Sequence, residues 1–121
     1  MELIIRDEQL RVLGEAARER FVRGALEKLR KHWPGAFREL GEAAARARVE
    51  RAVAEAEGFG IRAEADVLRF VNLAFALGDG FAADPRRPWA RALLADTALT
   101  PTERLDRLVE LALDELDGGG P

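Results

Sequence analysis

The apolar pattern of this chain is densest between Val67 and Leu77, where nine of eleven residues are apolar. The two exceptions, Arg69 and Asn72, stand three residues apart and therefore share one face of a helix. A helix that is apolar on nearly every side has to be covered by other helices or by lipid. Because the stretch is too short to cross a bilayer, it predicts a buried central helix at about residues 63–78.

Two helical stretches precede this central helix. In the first, Asp7 is the predicted N-cap and Pro34-Gly35 the predicted stop, with apolar residues at a helical period between them: Leu10, Leu13, Ala17, Phe21, Ala25 and Leu29. The second runs from about Ala36 to Glu57, with a potential interruption at Gly41. Its inward positions are mostly small, which favours close packing against the central helix. Gly58 and Gly60 bracket Phe59, the pattern of a left-handed helix end.

Downstream of the central helix, residues 78–89 form the only long irregular stretch in the pattern. Asp84-Pro85 pairs an N-cap residue type with the residue favoured at the first helical position, and a short helix through Trp89 to Asp96 is expected to follow. Thr100-Pro101-Thr102-Glu103 is a capping box. It begins a last helix with one apolar face: Leu105, Leu108, Val109, Ala112 and Leu116.

These elements predict an all-α fold, a compact bundle of five or six helices around the central helix. Residues 1–117 form the single predicted domain, and residues 118–121 a flexible Gly-rich tail. The sequence contains no internal repeat of the length typical of solenoid proteins.

Composition argues against catalysis and bound cofactors. The chain has no Cys, Ser or Tyr, so thiol chemistry, serine nucleophiles and tyrosine acids are excluded, and we predict no enzyme activity and no cofactor. His32 is the only histidine, so no metal site is expected. The net charge of −3 gives no field that would attract nucleic acid. An acidic residue near the N-terminus and the short apolar run after it do not make a signal peptide, which predicts a cytoplasmic protein without a membrane span.

Two groups of polar or aromatic residues are candidates for contacts. Arg69 is expected to pair with Asp66 or Glu64 and Asn72 with a neighbouring backbone, as structural contacts rather than a ligand site. In the irregular stretch, the glycines allow backbone angles closed to other residues, and several side chains are of types enriched in interfaces. These features predict a partner-binding surface made of Phe81, Asp84, Arg86, Arg87 and Trp89. The alternative is that Phe81 and Trp89 close the core and that the two arginines are solvated.

The block from Phe59 to Asp96 carries a family resemblance. It begins F-G-I-x-x-E-x-D-V-x-x-F-x-x-L and continues with Gly78, Phe81, Asp84-Pro85, Trp89-Ala90 and Asp96; Phe21 and the Trp33-Pro34-Gly35 break extend the likeness to the N-terminal half. The block resembles small helical bacterial proteins encoded beside the VgrG spike, PAAR tip and toxic-effector genes of type VI secretion systems. A Ser or Thr cap usual in that family is replaced here by Arg62 or Ala63.

The resemblance implies a non-catalytic adaptor or chaperone that holds an effector or loads it on the spike, so the expected partner is an effector, PAAR or VgrG protein. An immunity protein that masks a toxin is the nearest alternative. A helical nucleic-acid-binding domain and a small enzyme are the alternatives of another class, and both are disfavoured by the charge and the missing nucleophiles. Homo-oligomerisation is left open.

Overall fold

The computed structural model describes residues 14–117 of the chain. It contains six α-helices and one 3₁₀ turn: α1 Glu15–His32, α2 Pro34–Leu40, α3 Glu42–Gly58, α4 Glu64–Leu77, η1 Phe81–Ala83, α5 Pro88–Leu94 and α6 Pro101–Leu116. Residues 14–117 hold no β-strand, and the predicted all-α bundle of five or six helices is confirmed. None of the described helices is long and apolar enough to cross a membrane.

The fold is organised around α4, as predicted. Val67, Phe70 and Val71 of this helix are fully buried, and the helix contacts α1, α3 and α6. The sequence reason is the near-continuous apolar run, which leaves α4 only a narrow polar stripe. That stripe contains Arg69 and Asn72, and both residues are half-buried.

The first predicted helix does not run unbroken from Asp7. Gly14 has φ 74° and ψ 163°, outside the helical region, and α1 begins at Glu15. A residue in that conformation cannot continue a helix, which explains the break. The predicted N-cap Asp7 and the apolar positions Leu10 and Leu13 lie outside the described residues, as does the predicted tail 118–121.

The second predicted helix is two helices. Gly41 separates α2 from α3 with φ 83°, so the potential interruption is real. The stop at Pro34-Gly35 is displaced by one residue, because the break occurs at Trp33 and Pro34 occupies the first turn of α2. Proline suits that place, since its missing N–H has no helical partner there.

The end of α3 is a left-handed helix end of the Schellman type. Gly60 has φ 82°, and its N–H donates to the Glu57 carbonyl at 2.9 Å. The Ile61 N–H donates to the Ala56 carbonyl, also at 2.9 Å, which completes the motif. Ile61 is fully buried, so the turn also inserts an apolar side chain beneath α3.

The start of α5 differs from the sequence prediction. The helix begins at Pro88, with Arg87 as the N-cap residue, and it ends at Leu94 instead of Asp96. Asp84 does not cap it, because its carboxylate accepts the backbone N–H of Arg86 at 2.9 Å and closes a local turn. The capping box of α6 is confirmed: the Thr100 hydroxyl accepts from the Glu103 N–H, and the Glu103 carboxylate accepts from the Thr100 N–H.

Candidate protein-binding groove

The irregular stretch does not present its five predicted site residues together. Phe81 is only 1% exposed and packs against Phe70, with ring centroids 5.1 Å apart, so it belongs to the core and is not accessible to a partner. Trp89 is half-buried against the same core. The alternative interpretation, that Phe81 and Trp89 close the core, therefore describes their observed positions.

The two arginines of this stretch have different surroundings. The Arg87 side chain is 15% exposed and bridges Asp84 at 2.9 Å to Glu115 of α6 at 2.6 Å, so it fastens the loop to the last helix. The Arg86 side chain is 83% exposed. Of the five predicted residues, Arg86 is the most exposed, although its guanidinium binds Asp84 at 3.0 Å, and the expectation of an exposed arginine pair was wrong for Arg87.

Asp84 is the electrostatic centre of this loop. Hydrogen bonds from the Arg86 side chain, and then from the Arg86 backbone N–H, lower the pKa of the Asp84 carboxyl from 3.8 to about 2. Both arginines share the Asp84 carboxylate and Arg87 also binds Glu115, so the two positive charges of the loop are matched by two negative charges. This arrangement stabilises a turn and leaves little charge for a partner to bind.

A groove with a more suitable composition for binding lies between α4 and α6. It has a volume of about 310 Å³ and is lined by Trp33, Arg69, Asn72, Leu73, Ala76, Val109, Ala112, Leu113 and Leu116. The outer stripe of α4 forms its floor. One wall is the C-terminal half of α6, and the other is Trp33 at the corner between α1 and α2.

Both polar side chains on the floor of the groove already have partners. Arg69 binds Asp106 at 2.7 Å and Asp66 at 3.1 Å. The Asn72 amide donates to the Leu68 carbonyl at 3.0 Å and accepts from the Trp33 indole N–H at 3.2 Å. The predicted pairing of Arg69 with Asp66 and of Asn72 with nearby backbone is therefore confirmed. Because these groups are satisfied within the chain, the groove can be covered by apolar groups without leaving them unpaired.

The wall formed by α6 ends in exposed leucines. Leu105 and Leu108 are fully buried, but Leu113 is 54% exposed and Leu116 is 52% exposed. Leu116 lies on the predicted apolar face of α6 with Val109 and Ala112, which line the same groove, and this face is exposed at its C-terminal end. Adjacent exposed apolar side chains beside an apolar groove are typical of a protein-binding surface.

Acidic residues of α6 share a face with Leu113. Asp106 and Glu110 are exposed and precede Leu113 at helical spacing, and Asp117, the C-cap residue, follows it. Asp106 binds Arg69 at 2.7 Å, so its charge is paired within the chain. An occupant of the groove would meet acidic side chains along the edge formed by α6.

Two other clefts have less suitable linings. The cleft between α1 and α4, of about 350 Å³, is lined by Phe21 and Leu68 but also by the charged residues Arg20, Lys28 and Glu64. The cleft beside α5, of about 480 Å³, is lined largely by alanine and proline and has no projecting apolar side chain. Across residues 14–117, no group of three or more His, Cys, Asp or Glu side chains is arranged to hold a metal ion.

Comparisons with protein-family models, with curated proteins and with solved structures gave no match for this chain. The resemblance to type VI secretion accessory proteins therefore stays a prediction. The geometry of the groove is the observation that bears on function.

Proposed function

We propose that this chain is a non-catalytic protein-interaction module that binds another polypeptide through the groove between α4 and α6. The observation that carries the proposal is the exposure of Leu113 and Leu116 beside an apolar groove whose polar groups are already paired. Exposing such side chains to water is unfavourable, and covering them with a partner removes apolar area from water at about 25 cal/mol per Å².

The partner class in this proposal comes from the resemblance. An adaptor or chaperone has to hold another protein without modifying it, and an apolar groove with an acidic edge suits that task. We therefore propose a type VI effector, a PAAR protein or a VgrG spike protein as the partner, and the cytoplasm as the place where they meet.

The proposal is tested by titrating the labelled full chain with the purified products of the neighbouring genes. Two variants separate the groove from the irregular stretch: Leu116→Lys places a charge in the groove, and Arg86→Glu reverses the most exposed charge of the loop after η1. Both side chains are exposed, and the ion pair with Asp84 that Arg86→Glu removes is solvent-exposed and contributes little stability. The folded state should therefore tolerate both changes, which circular dichroism and melting would verify.

If the groove is the binding surface, Leu116→Lys should weaken binding by about tenfold or more, whereas Arg86→Glu should change it by less than about threefold. The opposite result would place the binding surface on the loop after α4. Equal and unchanged affinities for both variants would remove both surfaces from the proposal.

A further inference from the structure

We infer that the groove between α4 and α6 takes an amphipathic α-helix of the partner, with its apolar face in the groove and basic side chains against α6. The inference rests on the proposed function, because it takes the groove to be the binding surface, and it adds the chemistry of the segment that binds there. Two observations carry it: the hydrogen bonds already made within the groove and the negative charge along its α6 edge.

The polar groups that line the groove are already bonded within the chain. The polar side chains of its lining are those of Trp33, Arg69 and Asn72, and each has a partner in the bonds described above. Apart from Trp33, the lining backbone belongs to α4 and α6, whose N–H and C=O groups bond within each helix up to the last turn. An extended segment would leave its inward-facing backbone groups without partners, whereas an α-helix satisfies these groups internally. The hydrogen bonding of the groove therefore favours a helical occupant.

The two helices that form the groove offer parallel rows of side chains. Thr102 donates to Asp66 at 2.8 Å, and Arg69 donates to Asp106 at 2.7 Å, so α4 and α6 run in the same direction and advance together by about one turn. The rows that line the groove are Leu73 and Ala76 on α4 and Val109, Ala112, Leu113 and Leu116 on α6. A helix whose apolar residues recur every three or four positions packs on rows of this kind.

The exposed edge of α6 beside these rows is acidic. Glu110, Asp114 and Asp117 are exposed, and they are helical neighbours of Leu113 or of one another. Within residues 14–117, none of these carboxylates takes part in a salt bridge. The last turn of α6 contains no basic residue, so the negative end of the helix dipole adds to their charge.

This charge selects a basic occupant. Lysine or arginine side chains at the border of the partner's apolar face would lie against the carboxylates of α6, whereas acidic side chains there would be repelled. Opposite charges facing across an interface direct the orientation of docking, and their attraction weakens with added salt. The apolar face holds the helix in place by removing Leu113 and Leu116 from water.

The first test titrates three labelled synthetic peptides of about 18 residues with the full chain and follows fluorescence anisotropy. The basic peptide has leucines at helical spacing on one face and lysines and alanines elsewhere. The acidic peptide has glutamate in place of each lysine, and the third is the basic peptide with a central proline, which breaks the helix. The basic peptide should bind at least about tenfold more tightly than either of the others, and added salt should weaken its binding.

The second test reverses the charge of the α6 edge. Glu110→Lys with Asp114→Lys is compared with Glu27→Lys with Glu39→Lys, which changes the net charge equally at exposed residues outside the groove. The edge variant should bind the basic peptide at least about tenfold more weakly than the parent chain does, and the acidic peptide more tightly. The control should change either affinity by less than about threefold, because distant exposed charges are screened. Circular dichroism verifies that both variants are folded.

The third test places the apolar face of the peptide in the groove. Leu113→Gln is compared with Leu111→Gln, the same substitution on the same helix. Leu111 is 37% exposed and does not line the groove, so it is a matched control. Leu113→Gln should weaken binding of the basic peptide by at least about tenfold, and Leu111→Gln should leave it unchanged.

The inference is overturned if the acidic peptide or the proline peptide binds as tightly as the basic one, or if no peptide binds up to about 1 mM. Basic-peptide binding that survives the edge variant or Leu113→Gln also overturns it. These results differ from failure of the proposed function. A neighbouring gene product whose binding is weakened by Leu116→Lys but not by reversal of the α6 edge would retain the groove as the binding surface and exclude only the basic helix.

Discussion

Replacing Phe70 with alanine should remove a large part of the stability of this fold. Phe70 is 0% exposed at the centre of α4, and its ring packs on Phe81. Truncating a fully buried phenylalanine costs about 3–5 kcal/mol, through lost transfer free energy and the cavity that remains. An aromatic pair contributes about 0.5–1.5 kcal/mol beyond the area that it buries. Because Phe70→Ala also removes the pair with Phe81, we expect a loss in the upper part of the range for buried phenylalanines.

The assay is urea unfolding at neutral pH together with a thermal melt. For a domain of this size, the expected loss lowers Tm by about 12–30 °C. Leu111→Ala is the control, because its side chain is partly exposed and its truncation should change the free energy of unfolding by less than about 1 kcal/mol. A Phe70→Ala variant that loses less than about 1.5 kcal/mol would refute the central placement of α4.

Three further changes test local features of the fold. Asp84 has a pKa lowered to about 2 in the folded chain, so its contribution to stability is present above about pH 4 and is lost as pH falls through 2. Asp84→Asn should therefore lose less stability than the parent chain between about pH 5 and pH 2, measured by urea midpoints. Gly41→Ala should destabilise the chain by about 1 kcal/mol because φ of Gly41 is +83°. Gly35 lies in a helix, and a Cβ added there would meet no neighbouring group within 4 Å, so Gly35→Ala should be neutral or stabilising in the same melts. Thr100→Ala removes the capping hydroxyl and should cost about 1 kcal/mol, and an unchanged melting curve would contradict that role.

Local chemistry made much of the fold predictable. The apolar run of α4, the glycine interruption at Gly41 and the capping box at Thr100 each specify one outcome by sterics or by hydrogen bonding, and the structure has all three. The misplaced start of α5 was less predictable, because two Xaa-Pro pairs compete for it. Asp84 accepts the Arg86 N–H and closes a turn, whereas Arg87, which also precedes a proline, is bound by Glu115, a residue far away in sequence.

The candidate groove was much harder to predict. Leu113 stands outside the apolar series of α6, and Leu116 fits that series but is exposed at its end. Trp33 was noted only as part of a helix break. These residues meet because α1, α4 and α6 pack together, and no spacing within one helix encodes that meeting. One partial signal existed, since the polar pair Arg69 and Asn72 marked the side of α4 that is left open.

The central claim is that the face between α4 and α6 is covered by another polypeptide chain. Because the chain contains no cysteine, a single thiol introduced as Leu113→Cys or Leu111→Cys would report on one position at a time. The measurement is the rate of thiol labelling with and without a bound partner. We predict that labelling at position 113 slows when the partner binds, while labelling at position 111 does not change. Equal, unaltered rates at both positions would contradict the claim.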